Sequence, residues 1–192
     1  MSIKNKRKLA KTIRIITIPP VLVSALLVIL YFFRNEMFRP LDLLMSIVFL
    51  AVIPTLAYPL QPIMPGFKGK GRDGQRKLAF VTSTLGYIGG YVFSAVTGAS
   101  EGLKFIYASY LLSVFLLLIF NQIFKLKASG HACGVLGPLL FAVYFMGPVW
   151  LIPCMLAGAA VVWSSLQLTR HTPKELVFGG LCALCAFFVC MI

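Results

Sequence analysis

The chain has 192 residues, of which 59% are hydrophobic and 12% charged, with a mean hydropathy of +0.92. An ordinary soluble domain carries about 25% charged residues, so that class is excluded. The formal net charge of +13 is spread over short segments between apolar runs, with no basic domain and no interleaved exposed aromatics. That pattern argues against a nucleic-acid partner and for anionic lipid headgroups or a phosphorylated substrate.

In chain order, the opening stretch "KNKRKLAKTIR" (4–14) reads as a topology determinant and headgroup anchor, with 1–13 a basic N-terminal segment. The apolar run behind it is longer than a signal-peptide core, and "YFFRNEMF" offers no small-residue cleavage site. It is therefore expected to remain as a first helix, kinked at Pro19 and Pro20. Seven apolar stretches recur at about 14–33, 41–60, 78–99, 103–124, 132–147, 149–169 and 175–192. Each is near the length of helix that crosses about 30 Å of hydrocarbon. Runs such as "LLSVFLLLIF" are apolar on every face, unlike an alternating barrel strand. The expected fold is all-α: one polytopic transmembrane helix bundle over 1–192, with about six to seven spanning helices. Small residues in "GYIGGYVFSAVTGAS" and "LAGAA" suit close helix contact in lipid. Cys182 and Cys185 form a C-x-x-C inside an apolar helix with no second pair, so they read as small hydrophobes and no metal site is expected.

Seven spans put the N-terminus and the loops 61–77, 125–131 and 170–174 on one face. All Lys and Arg except Arg34, Arg39 and Lys104 then lie on that face, which the positive-inside rule places in the cytoplasm. The expected location is the cell membrane, with the basic face inward. The same face carries three polar islands: the opening stretch, "GFKGKGRDGQRKL" (66–78) and "KLKASGHACG" (125–134). A further polar stretch, "LTRHTPKELVFGG" (168–180), joins the last two apolar runs. Both histidines of the chain, His131 and His171, fall at helix boundaries here. Two imidazoles, several guanidinium groups and the Glu175 carboxylate on one face describe a phosphate site with acid–base groups. A plainer reading stands beside this one. Thr172-Pro173-Lys174-Glu175 is a capping box with proline at the first helical position, Ser129 suits a helix cap, and Arg72 and Arg76 suit a solvated loop.

The pattern resembles the type 2 phosphatidic acid phosphatases, integral-membrane lipid phosphatases. Their second motif ends in Ser-Gly-His, matched by Ser129, Gly130 and His131. Their third motif is Ser-Arg, five residues, His, three residues, Asp, often with Thr-Pro after the His. Ser164, His171 and Glu175 fall on that spacing, with Thr172, Pro173 and Gly179 in keeping. "GRDGQRK" is reminiscent of the first motif of divergent members but matches no form of it. Ser165 stands where the third-motif arginine belongs, and Glu175 replaces the aspartate. Arg170, or a lysine of the second island, is expected to supply the missing positive charge.

The resemblance implies a metal-independent phosphatase with no cofactor, acting on a lipid phosphate (phospholipid or polyprenyl phosphate or diphosphate) whose tail stays in the bilayer. It implies His171 as nucleophile, with Glu175 orienting its far ring nitrogen as a triad carboxylate does. His131 is the candidate acid for the leaving alkoxide. Arg72, Arg76, Lys127, Arg170, Ser129 and the amides around Gly130 are the candidate phosphate ligands. A non-catalytic protein that binds or transports anionic lipid is the alternative. The scarcity of charge inside the apolar segments weighs against transport.

Overall fold

A computed structural model describes residues 3–192, and every regular element among them is helical. The chain opens with α1 (Ile3–Ile16) and α2 (Pro19–Phe33), which bend by 53° at their junction. Proline excludes helical backbone from the residue before it, and Ile18 is extended at φ −62°, ψ 142°. The prolines therefore separate two helices instead of kinking one. The basic segment expected over 1–13 continues as helix to Ile16, and the first apolar crossing starts at Pro19 rather than near residue 14. Ala10 is fully buried where α1 lies against the helix preceding the last loop, while the neighbouring lysines stay exposed.

α3 (Pro40–Leu60) starts at a proline, and the Asp42 carboxylate accepts from the Arg39 backbone N–H at 3.0 Å and from its guanidinium at 2.8 Å on both oxygens. Pro54 lacks the N–H that would bond Leu50, and the turn ahead of it, Val48–Val52, widens to a π-helix. α4 (Gly71–Val96) begins well before the predicted residue 78, so "GRDGQRK" is helical and Arg72 and Arg76 are one turn apart rather than in a loop. Its buried face repeats every fourth residue: Gly74, Leu78, Thr82, Gly86, Gly90 and Ser94. A side chain at Gly86 would strike the Phe49 carbonyl, and one at Gly90 the Tyr107 ring. This is close packing by small residues, as membrane helices require.

α5 (Glu101–Ile123) is capped by the Ser100 hydroxyl, and α6 (Gly130–Met146) by that of Ser129, which accepts from Ala132 N–H at 3.2 Å. α7 (Pro148–Gln167) and α8 (Pro173–Met191) complete the bundle. α3, α4, α5, α7 and α8 are each long and apolar enough to cross a membrane, and α1 with α2 makes a sixth if the bent pair is one span. α6 is apolar but shorter, at 17 residues. The protein is thus a polytopic helical membrane bundle.

Two backbone contacts fix the start of α6 against the start of α8. The Ser129 N–H donates to the Glu175 carbonyl at 2.9 Å, and Gly179 lies against the Ser129 backbone with no room for a side chain. Beneath them Leu117, Ala128, Cys133, Cys182 and Ala183 form a buried cluster.

Gly179→Ala should therefore push α8 off Ser129 and cost about 1–3 kcal/mol, the usual range for overpacking. Gly180→Ala, whose methyl meets only Leu136 at an ordinary 3.6 Å, should leave the melt unchanged. Thermal melts of both variants in one detergent check this; equal melting temperatures would refute it.

Candidate functional site

Each histidine sits where a loop feeds a helix. His131 occupies the first turn of α6, behind its Ser129 cap. His171 lies in the short link between α7 and α8, just ahead of the Thr172 cap and Pro173. In that link Thr169 has φ 50°, a left-handed conformation that a β-branched residue rarely adopts. The turn lets the Arg170 N–H bond back to the Ser165 carbonyl at 3.1 Å, immediately ahead of His171.

Glu175 resolves its two readings. Its backbone N–H bonds the Thr172 hydroxyl at 3.3 Å, so the N-cap is real. Its carboxylate, however, lies 3.0 Å from His171 Nδ1. A carboxylate only accepts, so the shared proton sits on Nδ1 and Nε2 keeps its lone pair. The side chains are only 11% and 22% exposed, which shields the pair from water.

His131 and His171 line one cavity of about 440 Å³, whose charged lining gathers at one end of the bundle. Arg72 and Arg76 reach it from α4, Arg170 from the α7–α8 link, and Gly130 from the start of α6. His131 Nε2 is buried there without a hydrogen-bond partner. Lys127 does not join them. It is exposed, in a left-handed conformation at φ 51°, outside the cavity lining. Ser129 is fully buried as a cap and does not face the cavity, so its role is to hold α6 and not to touch a ligand.

No family model, no curated protein and no solved structure matches this chain. The geometry stands alone.

That geometry includes one group that the sequence reading had assigned to topology. Arg14, at the end of α1, lines the cavity, and its Nη1 donates to Ser165 Oγ at 3.1 Å. Ser165 is fully buried. The guanidinium held at this position is therefore that of Arg14, not the expected Arg170, although Arg170 also borders the cavity. Arg14 is one turn beyond the buried Ala10, so an arginine on the single small-residue face of a lysine-rich helix was the available signal. Tyr58 of α3 is a second lining residue the sequence did not single out. Among the described residues no group of three or more His, Cys, Asp or Glu is placed to hold a metal ion.

Electrostatically, burial is the largest effect on His171 and lowers its pKa below the ordinary 6.5. The Glu175 hydrogen bond and charge raise it, while Arg14 and Arg76 lower it. The net direction is down, so the ring stays neutral at neutral pH and gains its proton only below the usual histidine range. Titration of the imidazoles by NMR tests the balance. Glu175→Gln removes the charge that raises the value, so His171 should protonate at lower pH than in the parent. Arg14→Ala removes a positive neighbour, so protonation should move to higher pH. Shifts of the same sign in both variants would overturn this assignment.

Proposed function

We propose that the protein is a membrane-embedded, metal-independent phosphatase that removes phosphate from a lipid phosphate through a phosphohistidine intermediate. One observation carries the reading: a neutral His171, backed by Glu175, shares a cavity with His131 and the guanidinium groups of Arg14, Arg72, Arg76 and Arg170. The motif spacing of the type 2 phosphatidic acid phosphatases points the same way, and Arg14 supplies at Ser165 the charge whose absence set this chain apart from that pattern. On this reading the basic face and the site lie on the cytoplasmic side of the cell membrane, as the distribution of Lys and Arg favours.

The chemistry follows from the groups present. His171 Nε2 attacks phosphorus, a P–N bond forms and the ester P–O bond breaks. The imidazolium so formed is stabilised by the Glu175 carboxylate on Nδ1, the orienting role of a triad acid. His131, kept neutral by burial and by its neighbours Arg14 and His171, first takes the proton of a bound phosphate monoanion and then passes it to the departing alkoxide. Water, deprotonated by the same His131, then attacks phosphorus and releases inorganic phosphate with His171 restored. The arginines and the free amides at the start of α6 hold the non-bridging oxygens, where charge grows as the transition state forms.

The test is phosphate release by the purified protein from a panel of lipid phosphates, with acid quench to trap the phosphoenzyme. His171→Ala should abolish both release and trapping. Glu175→Gln should melt like the parent, because the cap is made by the Thr172 hydroxyl and the Glu175 backbone N–H, which the substitution keeps. Its turnover should nevertheless fall at least about a hundredfold, since the comparable triad change costs about ten-thousandfold. Arg14→Ala should lose on the order of 2–4 kcal/mol of transition-state stabilisation, the scale of one oxyanion donor. A parent protein that binds lipid phosphates but releases no phosphate from any of them would refute the phosphatase and favour the lipid-binding alternative.

A further inference from the structure

The cavity does not end at the phosphate groups. From the cationic mouth it continues between the helices to Phe141 on α6 and Phe187 on α8. At 1.5 Å per residue these lie roughly 15–20 Å below the starts of their helices, about half the thickness of a membrane's hydrocarbon. Val23, Leu50, Val114 and Ala183 contribute further apolar wall. The volume of about 440 Å³ falls in the range of small-molecule sites. At about 30 Å³ for a water-sized group, it takes roughly fifteen such groups. That is room for a phosphate and one chain of about ten carbons, and not for two acyl chains.

A second observation shows that the deep end is built for contents. Tyr110 borders the cavity, is 6% exposed, and its hydroxyl has no hydrogen-bond partner among the described residues. Buried hydroxyls are ordinarily satisfied, and an unpaired one in a cavity wall marks where a ligand or water atom belongs. The wall opposite is kept thin by Gly137, where an added Cβ would meet only the Tyr110 ring and hydroxyl, at 3.7 Å.

We propose that this cavity is a chamber for a single-chain lipid phosphate, alkyl or isoprenyl, whose chain enters the bundle interior instead of remaining among the bilayer lipids. The proposal takes from the proposed function only that the mouth receives a phosphate. Two-chain phosphatidic acid is excluded from the chamber because one chain fills it.

Non-hydrolysable phosphonates separate the chamber from the chemistry. The probes are ethyl-, decyl- and geranylphosphonate and a two-chain phosphonate analogue of phosphatidic acid, added to the full-length protein in nanodiscs of uncharged lipid, with thermal shift and competition as readouts. Decyl- or geranylphosphonate should raise the melting temperature and bind at least tenfold more tightly than ethylphosphonate. The stronger of the two then identifies the chain type. Gly137→Leu should plug the chamber and remove at least tenfold of the long-chain affinity, while ethylphosphonate, held at the mouth alone, keeps its own. Val114→Phe plugs from α5 and serves if Gly137→Leu does not fold. Equal long-chain binding in a folded plugged variant would overturn the proposal, as would equal competition by the two-chain lipid. Tight, plug-sensitive binding of the long phosphonate without hydrolysis of any ester would refute the phosphatase and leave the chamber standing.

Discussion

The junction of α6 and α8 is the constraint on which the rest of the site depends. A hydrogen bond from Ser129 N–H to the Glu175 carbonyl spans two helix starts, and Gly179 lets the backbones approach closely enough to make it. Each helix start carries a histidine, so locking the two backbones together also sets one imidazole beside the other at the same cavity mouth. In lipid, apolar side chains gain little by leaving their surroundings, and association depends on close packing and on such polar contacts. The junction satisfies both needs in one place.

Charge is arranged around that junction with a clear asymmetry. The first turns of α4 and α6 and the link ahead of α8 converge with the end of α1, and every charged side chain lining the cavity is a guanidinium group. Burial is the main effect that keeps protons off His171, and the positive charges of Arg14 and Arg76 add to it. Glu175 is the counterweight: it fixes the proton on Nδ1 and offsets part of that pKa lowering, which is what the proposed nucleophile requires. The opposite end of the bundle uses its charges differently. Arg39 is committed to the buried Asp42, and Arg34 to the Phe145 carbonyl and Glu36, so they tie loops to helices.

The N-terminal helix thereby gains a second meaning. Its lysines face outward and suit an anionic membrane surface. Its inner face, marked by Ala10, rests on α7 and delivers Arg14 to Ser165. A topology signal and a site residue coexist in one short segment because they occupy different faces of the same helix.

Composition and local spacing were enough to establish a helical membrane bundle, the approximate limits of its helices and the gathering of polar residues at helix ends. They also placed Glu175 one turn from His171, because an i,i+4 relation is a property of any helix start. These features are local, governed by hydropathy, proline geometry and capping within a few residues. The tertiary structure decided what lies beyond that range. Arg14 and Ser165 meet across 151 positions of chain, Lys127 turns away although Gly130 and His131 of the same stretch enter the site, and "GRDGQRK" becomes helix so that Arg72 and Arg76 share a face. Whether two distant groups meet depends on how closely whole helices pack. That is set by glycine and serine stripes, such as Gly86, Gly90 and Ser94, whose partners no short window of sequence can name.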